Sequence, residues 1–387
     1  MKTRVSFLFA NPHGHHSYFT VAALSRLGSV ILLCPPLQLQ LSTGRLQVEG
    51  LKIVTPTLYV LFCQLLSVLF FLLYKLRLLT ERHYLDFLSG LSSSIIKSHS
   101  GLVWVHYQDY LQLSPCSRQF VRKDICELII DSNPHQPNWC TTQSAVANAD
   151  AVVVPTSSMS STYLMISKPV VVAPYGGNKA AYTQFWHAIP CQSPCEPPRP
   201  KTPFTIVARS NSFRKGIDIF LMALDALLLN PIFCEYPDIE VCICGLVQEP
   251  DALELLANFK RRLEATRSAI AISAIQYSQS DYSLLLAKAD LFVMPSRLEG
   301  SSPAALEALW LGIPCVLSKE CGVSQFKHGR HGILLESNDS VLLADAILLA
   351  LHSSPLRADW RSSLAQDRQL FTWQNYFNAY RQLVDFL

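Results

Sequence analysis

Charge is scarce in this chain of 387 residues: Asp, Glu, Lys and Arg make up 16% of it, and the formal net charge at pH 7 is +3. So small an excess gives no ground for nucleic-acid binding. Paired cysteine motifs are missing as well. The 12 cysteines are scattered, and no Cys-x-x-Cys pair has a second pair to match, so neither a metal site nor a disulfide framework is read from them. Cys242, Cys244 and Cys315 sit in apolar runs and read as buried free thiols of a reducing compartment. A cleavable leader is not legible either. The apolar run Val5–Ala10 is short and ends at Asn11-Pro12 without a small-residue cleavage site, so it reads as a first β-strand.

What the chain has in quantity is apolar residues, half of the total, and they fall into an alternating pattern. Short runs such as Val5–Ala10, Val30–Cys34, Gly101–Val105, Ile125–Ile130, Ala151–Val154 and Val170–Ala173 read as strands, with a helix at Tyr18–Leu27. A second series starts at Phe204–Ala208. It continues through the helix Ile217–Leu229, strand Ile239–Cys244, helix Ala252–Ala265, strand Ile270–Ile275, helix Tyr282–Ala287 and strand Leu291–Met294. Helix Pro303–Leu311, strand Pro314–Leu317 and helix Val341–Leu351 complete it. Alternation of this kind predicts βαβ units and parallel sheets. Prolines 190, 194, 197, 198, 200 and 203 mark a linker. The expected architecture is α/β: two doubly wound Rossmann-like domains facing across a cleft, over 1–188 and 204–370, joined by 189–203. A closing helix over 371–387 is expected to pack back on the first domain. Ligands belong beyond the carboxyl ends of the strands.

Residues 56–79 stand apart. Between Leu58 and Tyr74 only Gln64 and Ser67 are polar, and Lys75, Arg77 and Arg82 follow. Seventeen residues are marginal for a bilayer span. A helix lying in a membrane interface with basic anchors is the leading reading, ahead of a buried helix or subunit contact and of a true span. Residues 1–185 carry 14 Lys/Arg against 8 Asp/Glu, an excess of +6, whereas the remainder carries 18 against 21. A basic first half suits an anionic partner such as a membrane surface or an acidic acceptor; a solvated face is the alternative.

The most informative segment is 293–315. The strand ends at Pro295, a polar loop carries Glu299 and Gly300, and Ser302 precedes Pro303 as cap and first residue of a helix stopped at Gly312. Strand, glycine loop and helix N-terminus make an anion site. Glu299 and Glu307 flank it. Carboxylates accept hydroxyls well and bind phosphate poorly, so the combination suggests a sugar attached to a phosphate. At the equivalent position after the strand 204–208, Arg209 and Lys215 stand on a loop and can grip a pyrophosphate.

These residues resemble the family 4 retaining glycosyltransferases of the glycosyltransferase-B fold. The likeness rests on Arg209 and Lys215-Gly216, on Ala289–Ser296, and on Glu299-Gly300 with Glu307 eight positions on. Gly312-Ile313-Pro314, Phe371-Thr372-Trp373, Ala149–Thr156 and Pro174-Tyr175-Gly176-Gly177 extend it. The resemblance implies that Arg209 and Lys215 hold the donor diphosphate and that Glu307 binds the nucleotide ribose. It further implies that Glu299 orients the transferred sugar, and that the N–H groups of Gly300, Ser301 and Ser302 contact sugar and phosphate. The cations would replace a metal, in keeping with a chain that has no Asp-x-Asp triplet, and no cofactor is expected.

The first domain departs from the pattern. Asn11-Pro12-His13-Gly14-His15-His16 replaces the usual glycine pair after the first strand. Gly14, His15 and His16 are candidate substrate-binding residues, with loop polarity or a metal site as alternatives. His106 and Asp131 are both candidates for the position near the reacting sugar. The expected activity is retaining, metal-independent transfer from a nucleotide-diphosphate sugar to a carbohydrate or lipid-linked acceptor, as in envelope polysaccharide assembly. The expected place is the cytoplasm or the inner face of its membrane. An inactive nucleotide-sugar sensor or scaffold subunit, an epimerase and a phosphorylase are the rivals.

Overall fold

The structure is a computed structural model. It describes 150–162, 169–178, 203–230, 239–266, 270–275 and 279–386, the backbone of four earlier strands, and isolated positions among 23–27, 65–78 and at 146. The strands are β1 Val5–Ala10, β2 Gly28–Leu33, β3 Leu102–His106, β4 Asp124–Glu127, β5 Ala151–Val154, β6 Val170–Val172, β7 Phe204–Ala208, β8 Ile239–Cys244, β9 Ile270–Ile275, β10 Leu291–Met294, β11 Cys315–Ser318 and β12 Gly332–Leu335. The helices whose full range is described are α1 Ser157–Thr162, α2 Ile217–Leu228, α3 Pro250–Thr266, α4 Gln279–Lys288, α5 Pro303–Trp310, α6 Ser340–His352, α7 Ser354–Gln366 and α8 Trp373–Phe386.

Two parallel six-stranded sheets result, ordered β2-β1-β3-β4-β5-β6 and β12-β11-β10-β7-β8-β9. Parallel sheets are covered on both faces, which is why β5, β10 and β11 are buried at every residue. In each sheet the strand order reverses once, between β1 and β3 and between β7 and β10. Such a reversal opens a crevice at the carboxyl ends of the flanking strands.

The chain forms two compact units, Met1–Ala173 with Tyr376–Leu387, and Pro174–Asn375. The first therefore gives up Pro174–Asn178, and the reason is steric. A Cβ on Gly176 would lie 2.2 Å from the Trp373 nitrogen, and one on Gly177 would lie 2.1 Å from the Leu306 carbonyl oxygen. Only glycine lets this strap lie on α5 and on the start of α8. Gly177 N–H donates to the Phe371 carbonyl at 2.9 Å, Trp373 N–H donates to Asn178 Oδ1 at 2.8 Å, and Tyr175 stacks on Trp373. Within the other unit, Arg26 lies over the Phe377 ring. The expected linker 189–203, apart from Pro203, lies outside the described residues.

In the second unit α2, α3 and α6 share one core with the sheet. α2 buries Ile217, Phe220, Leu221, Leu224 and Leu227 at helical spacing, and Leu228 is partly covered. Cys242, Cys244, Cys315 and Cys321 are buried free thiols. Of residues 56–79 only seven are described, among them the exposed Leu65, Leu69, Leu72 and Leu76. Among the described residues no single helix is long and apolar enough to cross a membrane.

Candidate active site

The register of β7 against β10 pairs Ala208 with Val293, so both chains leave the sheet side by side at the reversal point. One exit is the loop 209–216, the other the loop 295–302. They are tied together at several points. Arg297 N–H and the Ser296 hydroxyl both donate to the Arg214 carbonyl, at 2.8 and 3.2 Å. The Arg297 guanidinium forks onto Asp218 at 2.6 and 2.7 Å and also reaches the Phe213 carbonyl. Gly216 has φ +72°, and a Cβ there would lie 2.1 Å from the Pro295 carbonyl oxygen. Glycine after Lys215 is thus required by both conformation and contact.

Lys215 Nζ stands 2.9 Å from Glu299 Oε1, and both side chains are nearly covered, at 14% and 12% exposure. Arg214 Nη1 reaches the same oxygen at 2.8 Å, and the Ser296 hydroxyl reaches it at 3.3 Å. Three donors converge on one oxygen, leaving Glu299 Oε2 available to a ligand. Burial lowers the Lys215 pKa, partly offset by Glu299, while Arg209 and Arg214 lower it further. Arg209 Nη1 is anchored on the Cys244 carbonyl at 2.7 Å, which aims the guanidinium from β7 across the end of β8.

The loop 295–302 is held from behind by the turn Lys319–Cys321. Glu299 N–H donates to the Glu320 carbonyl, Ser302 N–H to the Cys321 carbonyl (both 2.9 Å), and the Ser318 hydroxyl to the Ser296 carbonyl at 2.6 Å. The Cys321 thiol donates to the Met294 carbonyl at 3.1 Å, and burial pushes its pKa up to about 12, so it stays a thiol. Gly300 and Ser301 N–H groups, by contrast, have no partner among the described residues. Neither do the buried Ser301 Oγ and Glu320 Oε2. Buried polar atoms left without partners are rare in native proteins, and these two lie on the loop and on the turn behind it. Ser302 corrects an expectation: its N–H is engaged, and its hydroxyl caps α5 through Ala305 N–H at 3.3 Å. Glu307 is buried one turn into α5.

Arg209, Lys215, Glu299, Gly300, Ser301 and Glu307 thus come together around the ends of β7 and β10. Arg214, Glu320 and Cys321 escaped sequence reasoning. Arg214 had a signal, a second cation beside Lys215; the turn 319–321 had none. In the other unit His106 is the last residue of β3, paired in register with Glu127, at the reversal point of that sheet. Asp131, Gly14, His15 and His16 lie outside the described residues. Among the described residues no three His, Cys, Asp or Glu side chains group as a metal site.

Residues 193–366 match the family model of glycosyl transferases group 1. Among solved structures, HepE of Anabaena, crystallised with UDP-glucose, superposes with a TM-score of 0.67 at 17% identity, covering 99% of this chain and 100% of that one. A glycosyltransferase from Rickettsia africae gives 0.65 at 13%, with 98% of each chain covered. A UDP-forming trehalose-phosphate synthase from Burkholderia xenovorans gives 0.63 at 13%, again with 98% of each. Similarity at these identities is similarity of fold, and it agrees with the two reversing parallel sheets: this chain has the glycosyltransferase-B fold, with a group 1 glycosyl transferase match over its second domain.

Proposed function

We propose that the protein transfers a sugar from a nucleoside-diphosphate donor to an acceptor with retention at the anomeric carbon, as a family 4 glycosyltransferase. The observation that carries this reading is the Lys215–Glu299 pair, 2.9 Å apart, with Arg209 beside it and free N–H groups at Gly300 and Ser301. Arg209 and Lys215 neutralise the charge that grows on the departing diphosphate, so transfer proceeds by positioning and electrostatics without a metal. Glu299 Oε2 accepts a sugar hydroxyl while its other oxygen stays fixed. Glu307 accepts the ribose hydroxyls. The acceptor oxygen bonds to the anomeric carbon on the face from which the phosphate oxygen leaves, and that oxygen takes the acceptor's proton. His106, at the reversal point of the other sheet, and Asp131 are the candidates nearest the reacting sugar. Gly14, His15 and His16 contact the donor or acceptor from the same domain. HepE, solved with UDP-glucose, supports a donor of this class.

The acceptor is lipid-linked or a growing polysaccharide, and the protein acts on the inner face of the cytoplasmic membrane. Leu65, Leu69, Leu72 and Leu76, at helical spacing i, i+4, i+7 and i+11, are 65%, 50%, 51% and 67% exposed, with Lys75 beside them. A leucine face with basic flanks suits an anionic lipid surface.

A thermal-shift panel of nucleotide sugars tests the donor assignment, because a ligand bound by the folded state raises Tm. At least one nucleotide sugar is expected to stabilise the protein and to be slowly hydrolysed with retained configuration. No shift across the panel refutes the reading, and a shift without turnover leaves only a nucleotide-sugar sensor. Vesicles of anionic lipid should retain the protein; indifference to them removes the membrane assignment.

A further inference from the structure

The hydroxyl of Tyr282 has no part in the chemistry above, and its surroundings call for one. Tyr282 lies in the first turn of α4, which joins β9 to β10, while α5 joins β10 to β11. Both crossovers run the same way across the sheet and so cover the same face, opposite α2 and α3. The ring reaches inward, and its oxygen is buried without any hydrogen bond. The groups that bear most on it are Glu307 of α5, Cys244 at the end of β8, and Arg209. Burial first, then Glu307, holds its pKa well above the usual tyrosine value, so it remains a neutral phenol able to donate.

A second buried atom without a partner among the described residues lies beside Arg209. Asn211 Nδ2 donates to the Leu246 carbonyl at 3.0 Å, which fixes the amide and leaves Oδ1 a buried acceptor with no donor. Gly245 follows Cys244 at φ +106°, and a Cβ there would lie 2.5 Å from Arg209 Nη1 and 2.8 Å from Asn211 Nδ2. Glycine at 245 leaves the room in which the Arg209 guanidinium and the Asn211 amide lie side by side.

An amide oxygen and a carboxylate both disfavour phosphate, whereas a nucleoside offers both donors and acceptors. We propose that Tyr282 is a specificity-determining residue: its hydroxyl hydrogen-bonds the nucleoside half of the donor, and Asn211 Oδ1 accepts from the same nucleoside. The inference rests on the nucleotide-sugar reading of the site. It adds the groups that distinguish one nucleoside from another.

The test is calorimetric titration of the wild-type chain and Tyr282→Phe with uridine, guanosine and adenosine diphosphates and with inorganic pyrophosphate. Melting of the free proteins is measured in parallel. In Tyr282→Phe the tightest nucleoside diphosphate is expected to bind about tenfold more weakly, with pyrophosphate unchanged. The free variant should melt no lower than wild type, because a hydroxyl without a partner is removed. Equal nucleotide affinity in the two proteins, or a lower melting point with pyrophosphate binding lost in step, overturns the assignment of Tyr282 alone. A folded wild type that binds none of the three nucleotides overturns the nucleotide-sugar reading and this inference with it.

Discussion

The loops 209–216 and 295–302 leave neighbouring strands, run beside the same crevice and each start a helix, yet they present opposite kinds of group. In the first the backbone is already engaged: Lys215 and Ile217 N–H groups donate to the Ser212 carbonyl, Gly216 N–H to Phe213, and Phe213 N–H to Glu249 Oε2. What it offers is side-chain charge, Arg209 and Lys215. The second offers backbone, the N–H groups of Gly300 and Ser301, and one carboxylate oxygen. A satisfied loop holds long cations in place, whereas a loop with open N–H groups needs a frame behind it, here Ser318, Glu320 and Cys321. On the proposed reading, side-chain charge held in place on one side and main-chain dipoles on the other grip a diphosphate-sugar.

Four substitutions probe that division. Lys215→Ala, which removes the cation that meets Glu299, should lower sugar transfer by about a hundredfold or more with the fold intact by circular dichroism. Wild-type activity in that variant would remove Lys215 from the mechanism. Gly177→Ala drives a methyl into the Leu306 carbonyl behind Glu307 and should cost about 1–3 kcal/mol, seen as a lower urea midpoint. Ser318→Ala strips the buried Ser296 carbonyl of its hydroxyl donor, costing about 1–3 kcal/mol and loosening only the loop 295–302. Ser302→Ala removes the α5 cap and should cost about 1 kcal/mol in the same assay.

The cation side should also respond to pH. Burial lowers the Lys215 pKa in the folded protein. As pH rises through that value the site loses a positive charge before an ordinary lysine would, so diphosphate affinity falls. Stability moves the other way: between the folded and unfolded values the unfolded chain binds more protons, so this residue's contribution to folding free energy rises with pH. A diphosphate titration from neutral to alkaline pH should show the earlier decline, and Lys215→Arg should displace it upward.

The fold was legible where a short apolar run stands between turn or helical segments. Val5–Ala10, Ala151–Val154, Phe204–Ala208, Ile239–Cys244, Ile270–Ile275 and Leu291–Met294 read to the residue. Gly332–Leu335 did not, because it opens on a glycine and follows a loop where the alternation would call for a helix. The helix Ser354–Gln366 has only Trp360 and Leu364 buried, so it shows no apolar stripe. At the site, Arg209, Lys215, Glu299 and Glu307 were legible because charged residues at strand–loop–helix junctions have few structural reasons to be there. Ser302 was legible as the α5 cap; that its N–H is taken by the Cys321 carbonyl was not, because that turn carries no pattern of its own. Glu320 and Cys321 act through main-chain carbonyls, which any side chain could supply.

The strap at Gly176-Gly177 carries a consequence for tracing ancestry. Two adjacent main chains in contact admit no drift: an alanine at either position meets a backbone atom at about 2 Å, and no compensating change elsewhere creates the room. A charged ligand residue, by contrast, can migrate to a neighbouring position as long as the charge arrives in the same place. Distant descendants of this sequence that have exchanged Arg209 or Lys215 should therefore still be recognised by two consecutive glycines ahead of a mid-chain proline cluster.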